Sequence, residues 1–187
     1  MQVIAFGHRR QTGKDTAGKL LYTHLQATHK NTVIKKSGFA DKLKEVAQTL
    51  WGFGGLKSNN FYNQNGALKE QPLEALGLSP RELWIQLGCK IREIYSTTWI
   101  DNLLFNGELD ILIITDLRFP NEFKKVKEMG GICIKVERDC IEQFDDEADS
   151  ALKDEDQWDY IIQNNGTLTD LSQTILGLME SFHHEEK

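Results

Sequence analysis

The sequence VIAFGHRRQTGKDT, residues 3–16, decides the fold. An apolar stretch, Val3–Phe6, leads into a loop that contains Gly7 and Gly13, and a helix-forming sequence begins at Lys14. A loop at a helix N-terminus presents unpaired backbone N–H groups and the positive end of the helix dipole. It therefore attracts polyphosphate, and a lysine on the first helical turn can reach the outer phosphates. The stretch predicts a strand, a phosphate-binding loop and a helix in succession.

The loop departs from the common pattern G-x-x-x-x-G-K-[ST] at two positions. His8 stands where the first glycine belongs, with Gly7 one residue early, and Asp15 stands where a metal-binding hydroxyl is expected. The alternative is an ordinary strand-to-helix turn, in which Gly13 only bends the chain and Asp15 is a favourable acid near a helix N-terminus. The apolar strand before the loop and the Gly-Lys pair favour the phosphate loop.

The composition is that of a compact enzyme. The chain has 187 residues, 40% hydrophobic and 27% charged, which suffices for one domain with a sizeable core. A net charge of −6 argues against a protein that coats nucleic acid, because such binding needs many cationic side chains. No apolar run approaches the length of about 20 residues that a membrane span needs, and the three cysteines form no C-x-x-C pair. We expect a single domain, residues 1–187, in a reducing cytoplasm, with no membrane or nucleic-acid partner.

Apolar runs alternate with helical patterns along the chain, which is typical of a parallel sheet covered by helices. We expect an α/β/α three-layer fold with a five-stranded parallel sheet and a helical insertion at about residues 52–106, in which 52–66 is a loop. The predicted strands are 2–6, 33–37, 111–115, 132–137 and 160–162. The predicted helices are 14–29, 40–51, one opened by Pro80, a short one after Thr98, 120–129 and 168–182. Their apolar stripes, which include Leu50, Ile94 and Leu168, predict the buried faces.

A second polar group follows the predicted strand 111–115, where Asp116 and Arg118 precede Pro120. Ligands of doubly wound sheets bind at the carboxyl ends of the strands, so Asp116 could hold Mg²⁺ and Arg118 could reach a phosphate. The alternative is that Asp116 caps the helix that starts near Pro120 and that Arg118 lies on the surface.

Five segments in order make the chain similar to the deoxynucleoside monophosphate kinases of tailed bacteriophages. They are Gly13–Thr16, Phe39–Glu45, the helix with Gln86–Gly88 followed by Arg92 and Trp99, the turn Asp116–Glu122, and Asn164–Leu168. The resemblance implies the nucleoside-monophosphate-kinase branch of the P-loop folds. It also implies transfer of the γ-phosphoryl group from ATP, with Mg²⁺, to a deoxynucleoside monophosphate, which would supply phage DNA synthesis in the host cytoplasm.

The resemblance also implies roles for residues of this chain. The catalytic group would be Lys14, Arg10, Asp116 and Arg118, and Asp15 and Asp116 would hold the metal. The nucleotide would contact Arg9, Arg10, Gln11, Thr12, Gly13, Lys14, Asp15, Thr16, Arg138, Asn165 and Gly166. The acceptor pocket would contain Phe39, Lys42, Arg81, Gln86, Arg92, Trp99 and Arg118.

Several of these residues have simpler interpretations. Trp99 can be a core residue, a reading as well supported as the acceptor pocket, and Trp84 is better read as core. The arginines at 9, 10, 81 and 92 can be solvated side chains without a partner. Asn165 and Gly166 can form a turn, with Thr167 as the N-cap of the last helix.

A predicted lid, residues 138–157, departs from the relatives. The family commonly has His-x-Ser-Glu here, whereas this chain has Ala148-Asp149-Ser150-Ala151, and Arg138 is the lid's single arginine. Lids supply positive charge and exclude water during phosphoryl transfer. Arg9 and Arg10 of the phosphate loop could supply part of that charge.

Two other functions remain open from the sequence. One is a kinase for another phosphorylated metabolite, such as dephospho-coenzyme A, and the other is a non-catalytic nucleotide-binding or phage–host interaction protein. Fold analogy cannot choose among them. The accepted bases, the preference for deoxyribose and the oligomeric state, for which a homodimer is one alternative, also remain open.

Overall fold

The computed structural model describes residues 1–105, 108–139 and 150–182. The described chain divides into two compact units. The sheet unit contains residues 1–38 and the described residues from 108 onward, and the helical unit contains residues 39–105. The helical unit therefore starts earlier than the predicted insertion and includes the helix after the second strand.

Five strands form one parallel sheet, as predicted. They are β1 (Gln2–Gly7), β2 (Ile34–Ser37), β3 (Ile111–Leu117), β4 (Ile132–Glu137) and β5 (Tyr160–Gln163), in the spatial order β2-β3-β1-β4-β5. In the register, Gly7 pairs with Leu117 of β3 and with Lys135 of β4. The loop after β1 therefore starts beside the carboxyl ends of β3 and β4.

Seven α-helices lie in the described ranges. They are α1 (Lys14–Thr28), α2 (Phe39–Trp51), α3 (Asn59–Gln64), α4 (Pro80–Ile94), α5 (Thr98–Leu104), α6 (Pro120–Glu128) and α7 (Leu168–Phe182). No helix in the described part of the chain is long and apolar enough to span a membrane.

The sheet unit has helices on both faces of its sheet. Phe6 and Ile113 lie in one buried cluster with Leu21 of α1 and Ile175 of α7. Successive strand residues point to opposite faces, so Val3 and Ala5 face the other way. A Cβ on Gly131 would lie within 3.1 Å of both Val126 of α6 and Val3. Helix α6 thus covers the second face, and the predicted three layers are confirmed.

The helical unit has its own core of Ala47, Leu56, Tyr62 and Leu83. Gly88 allows α4 to approach α2 closely, since a Cβ there would lie 2.7 Å from Leu43 Cδ1. Helix α4 begins with a capping box: Ser79 Oγ accepts from the Glu82 N–H, and the Glu82 carboxylate accepts from the Ser79 N–H at 2.7 Å.

Two predictions about packing and loops were wrong. The predicted loop 52–66 contains helix α3, which starts after Ser58, whose hydroxyl accepts from the Phe61 N–H at 3.4 Å. Leu50, Ile94 and Leu168 are 49%, 81% and 63% exposed. All three lie in the first or last turn of their helices, where a side chain extends past the layer that its helix covers.

Candidate functional site

The phosphate loop, residues 8–13, has an unusual backbone. His8, Gln11 and Gly13 have φ values of +93°, +62° and +97°. Side chains disfavour this region, so the two non-glycine residues carry strain. His8 occupies the position of the missing first glycine and adopts a φ that glycine would favour. The imperfect sequence match therefore conceals a glycine-like conformation at this position.

Gly7 serves packing rather than the turn. A Cβ on Gly7 would lie 2.7 Å from the Trp158 ring and 2.8 Å from the Leu117 carbonyl oxygen. The Trp158 ring in turn stacks edge-to-face on Phe123, with ring centroids 4.9 Å apart. Trp158 therefore covers the start of the loop, and only glycine leaves room for it.

Lys14 is buried in the loop, with 3% of its surface exposed. Its ammonium donates to the Arg9 carbonyl oxygen at 2.8 Å, and the Thr12 hydroxyl donates to the same oxygen at 3.1 Å. The two bonds close the loop and keep the ammonium at its centre. Phosphate oxygens are stronger acceptors for an ammonium than a neutral carbonyl, so the arrangement suits an anionic ligand.

Asn164, which follows β5, reaches the phosphate loop. Its Nδ2 donates to the Thr12 carbonyl oxygen at 2.8 Å, and a Cβ on Gly13 would lie 2.2 Å from that nitrogen. Gly13 is therefore required both by its φ and by this contact. The sequence resemblance gave Asn164 only as part of a loop expected to meet the adenine of ATP, and it did not predict this bond to the phosphate loop. The position of Asn164 after a strand at the carboxyl edge of the sheet was the available signal.

The neighbouring predicted residues have other partners. The Asn165 carboxamide accepts from the Asp139 N–H at 2.8 Å and donates to the Asp139 carboxylate at 2.7 Å. Thr167 caps α7, since its hydroxyl accepts from the Asp170 N–H at 3.3 Å, as the simpler interpretation held. Gly166 lies against the Asp170 carboxylate.

Positive charge surrounds the start of the loop. Burial, together with the nearby charges of Lys135, Arg9 and Lys14, lowers the pKa of His8 to about 4, while Glu137 opposes this shift. His8 is therefore neutral at pH 7, and the cations that disfavour its protonation also favour a bound anion. Lys135 itself pairs with Glu137 at 2.7 Å.

The turn after β3 places Asp116 beside a glycine. A Cβ on Gly38 would lie 2.6 Å from Asp116 Oδ2, so the half-buried carboxylate packs on the Gly38 backbone. The cap of α6 comes from Glu122, which is 2% exposed and accepts from the N–H groups of Arg118 and Phe119 at 3.0 and 3.1 Å. The Glu122 carboxylate therefore caps these two N–H groups. The Arg118 side chain is half-buried.

The acids of the sheet unit suit Mg²⁺ better than they suit a metal ion whose ligands all come from the protein. No group of three or more His, Cys, Asp or Glu side chains able to hold a metal occurs among the described residues. Asp116 is half-buried, and Asp15 is exposed on the first turn of α1, as is Thr16. Mg²⁺ commonly takes one or two carboxylates together with waters and substrate phosphates. The donors present fit that requirement.

The predicted acceptor residues of the helical unit fall into two groups. Phe39 and Trp99 are buried, 3% and 5% exposed, and the Trp99 indole N–H lies 3.5 Å from the Gly88 carbonyl oxygen. For Trp99 this burial favours the core interpretation. The polar members lie nearer the surface: Lys42, Arg81 and Arg92 are half-buried, and Gln86 is exposed.

Two of these cations already form ion pairs. Lys42 pairs with Glu45 at 3.0 Å, and Arg81 pairs with Glu70. Ion pairs at the surface are weak, so a phosphate could compete with Glu45 and Glu70 for these two cations.

Trp84 packs edge-to-face on Tyr62 with ring centroids 5.4 Å apart, as a core residue does.

The predicted lid is described only in part. Arg138 at its start is exposed, and the described residues resume at Ser150. Ala148 lies outside the described residues, whereas Ala151 is half-buried in a turn.

Comparisons with known proteins give the family. A model of the deoxynucleotide monophosphate kinase family matches residues 78–175, just over half of the chain. A relative from Acanthamoeba polyphaga mimivirus, named "Putative deoxynucleotide monophosphate kinase", is 25% identical over 97% of each chain. The crystal structure of shikimate kinase from Aquifex aeolicus vf5 is 13% identical, with a TM-score of 0.42 over 97% of this chain and 98% of that one. Shikimate kinase from Bacteroides thetaiotaomicron is 15% identical, with a TM-score of 0.42 over 96% and 98%.

The family match includes helix α4, the turn after β3 and the loop that contains Asn164, and it begins after the phosphate loop. It therefore covers three of the five segments on which the sequence resemblance depends. The chain belongs to the deoxynucleotide monophosphate kinase family.

Proposed function

We propose that the chain transfers the γ-phosphoryl group of ATP to a deoxynucleoside monophosphate, giving ADP and the deoxynucleoside diphosphate. One observation carries the proposal: a chain of this family holds a buried lysine, Lys14, inside a strained loop surrounded by positive charge. The diphosphate would be a precursor for DNA synthesis, and the cytoplasm of an infected cell is the compartment that suits this role.

The acceptor supplies the nucleophile in this reaction. An oxygen of its phosphate forms the new bond to the γ-phosphorus, and the bond to the β–γ bridging oxygen of ATP breaks, so ADP leaves. The protein mainly has to position the phosphates and stabilise charge. Lys14, Arg10 and Arg118 would perform this task, and no nucleophilic side chain is required.

The sheet unit would bind ATP. The backbone N–H groups of the phosphate loop would receive the phosphates, together with the side chains of Arg9, Arg10, Thr12, Lys14 and Thr16. Asn165 and Gly166 would contact the adenine, and Arg138 would contact a phosphate. Asp15 and Asp116 would hold Mg²⁺, which when bound neutralises charge on the phosphates.

The helical unit would bind the monophosphate. Arg92 would hold its phosphate, because a guanidinium matches phosphate oxygens with a fixed fork of donors. Lys42, Arg81 and Gln86 would supply further polar contacts, and Phe39 and Trp99 would support the pocket from the core. Arg118, which belongs to the sheet unit, would contact a substrate or transition-state phosphate.

The test is a coupled assay of ADP release with purified chain. The acceptor panel contains the four deoxynucleoside monophosphates, the four ribonucleotides and dephospho-coenzyme A, with an acceptor-free reaction as the ATPase control. The proposal predicts release above the control with at least one deoxynucleoside monophosphate. Release with dephospho-coenzyme A alone would contradict it, as would no release with any acceptor.

A further inference from the structure

Asn164 links two loops that lie far apart in the sequence. Asn164 is 9% exposed, and its backbone N–H donates to the Glu137 carbonyl oxygen of β4 at 2.7 Å. The backbone is thus anchored to the sheet, while the side chain donates to the Thr12 carbonyl oxygen at 2.8 Å. The amide is therefore a fixed support and not a mobile surface group.

The bond to Thr12 sets the direction of the next peptide N–H. The peptide between Thr12 and Gly13 is planar and trans, so its carbonyl and its N–H point in opposite directions. Since the carbonyl points toward Asn164, the Gly13 N–H points away from it. The φ of +97° at Gly13 then leads directly into the first turn of α1 and Lys14.

We propose that Asn164 is a positioning residue for the phosphate loop. By holding the Thr12 carbonyl, it fixes the Gly13 N–H in the direction in which a bound polyphosphate accepts from it. The loop that follows β5 thereby controls affinity for phosphate groups and does more than contact the base. The inference rests on the proposed binding of a nucleotide at this loop.

The test measures binding without turnover. Wild-type chain and the Asn164→Ala variant are titrated calorimetrically with inorganic triphosphate and, separately, with ATP. The matched control is Asn65→Ala, which removes a carboxamide that donates to the Phe61 carbonyl oxygen at 2.9 Å in the helical unit. Asn164→Asp is a second variant that keeps the shape of the side chain but replaces the donor by an acceptor.

We expect Asn164→Ala to lower the affinity for ATP and for triphosphate by the same factor, about tenfold, from the loss of one buried hydrogen bond. Asn65→Ala should leave both affinities unchanged. Asn164→Asp should lose at least as much at pH 8 and recover relative to wild type as the pH falls, because a protonated carboxyl can donate again. A residue that merely supported the fold would lower the free energy of unfolding and leave the affinity of the folded variants unchanged.

Three results would overturn the inference. Unchanged triphosphate affinity in both Asn164 variants would show that the loop needs no support from this side chain. A loss for ATP without a loss for triphosphate would make Asn164 a nucleoside contact. Failure of the wild type to bind triphosphate would show that residues 8–13 do not form a phosphate-binding loop. Binding of triphosphate by the wild type without transfer to any monophosphate would contradict the proposed function alone.

Discussion

The phosphate loop and helix α4 differ in how each would prepare a site for phosphate. The loop is irregular: three residues have positive φ, and Lys14 and Thr12 donate to one carbonyl oxygen within it. Helix α4 is regular, and it presents Arg92 and Gln86 from an unstrained backbone whose N-terminus is closed by a capping box. The loop would bind through backbone shape, and the helix would bind through the choice of side chains.

This difference has a consequence for the sequence. Every residue type except proline has a backbone N–H group, so a loop can keep its donors when a glycine is replaced, as at His8. A side-chain site loses its chemistry when the residue changes. The family model matches the chain from residue 78 onward, which includes α4 and leaves out the loop.

The largest expected effect comes from Lys14→Ala, which removes the buried ammonium and keeps every backbone N–H group of the loop. We expect the transition state to lose about 3–5 kcal/mol of stabilisation, because in the proposed reaction the ammonium would stabilise charge on the transferring phosphoryl group. Steady-state kinetics should show kcat/KM reduced by at least about a hundredfold with an unchanged circular dichroism spectrum. Lys19→Ala, an exposed position of α1, is the control. Near-normal turnover in Lys14→Ala would contradict the account.

Arg92→Ala tests the side-chain half of the comparison, with Arg118→Ala beside it. Each should raise the KM for the monophosphate by about ten- to a hundredfold while the KM for ATP changes little, because a charge-assisted contact is worth about 1.5–3 kcal/mol. Lys90→Ala, an exposed residue of α4 that pairs with Glu93, is the control. If instead both variants raise the KM for ATP and spare the monophosphate, the division into donor and acceptor sites is wrong.

Gly13→Ala tests the backbone half of the comparison. We expect a loss of about 1–3 kcal/mol in the free energy of unfolding, since the new Cβ meets a positive φ and the Asn164 amide. Gly177→Ala is the matched control, because Gly177 lies within α7 with nothing within 4 Å of its Cβ position. It should stabilise by about 0.5–1 kcal/mol in urea denaturation. Equal effects of the two substitutions would argue against a constrained loop.

Asp15→Asn and Asp116→Asn test the metal. Each should raise the Mg²⁺ concentration that gives half-maximal activity several-fold, because an amide oxygen attracts a hard cation less strongly than a carboxylate does. The measurement is a Mg²⁺ titration at saturating nucleotide. An unchanged requirement in both variants would exclude these acids as metal ligands.

His8→Gly should have the smallest effect, a stabilisation of about 1 kcal/mol from relief of the positive φ. The pKa of His8, lowered to about 4 from 6.5, adds a pH dependence. Between these values the unfolded chain binds more protons than the folded chain, so stability falls as the pH drops from 6.5 to 4. Denaturation at pH 7 and at pH 5 should show that the free energy of unfolding falls less between these pH values in His8→Gly than in the wild type. An identical drop would mean that His8 is not the titrating group.

Much of the fold could be predicted because its signals are local. Strand β4 and helix α7 have the predicted bounds, and the other strands and helices α1, α2 and α6 differ from the predicted bounds by at most two residues at an end. Helices α4 and α5, which were predicted without an end, are both present. Their apolar periodicity is set within a few residues. Helix α3 was missed because its 6 residues, which are capped by Ser58, are too few to show an apolar periodicity.

The site was only partly predictable because its contacts are long-range. The bond between Asn164 and Thr12 joins residues 152 positions apart. Asn164 and Asn165 are chemically identical, and which of them faces the loop depends on where β5 ends. The strain at His8 was likewise hidden, since the residue type gives no indication of a positive φ.

The central claim, that this phosphate loop serves transfer to a deoxynucleoside monophosphate, is tested most directly by following the label from ATP labelled in its γ-phosphate. The chain is incubated with labelled ATP, Mg²⁺ and each of the four deoxynucleoside monophosphates, and the products are separated by chromatography. The account predicts that label appears in a deoxynucleoside diphosphate and is lost in Lys14→Ala. Label that remains in ATP, or that appears only as inorganic phosphate with every acceptor, would contradict it.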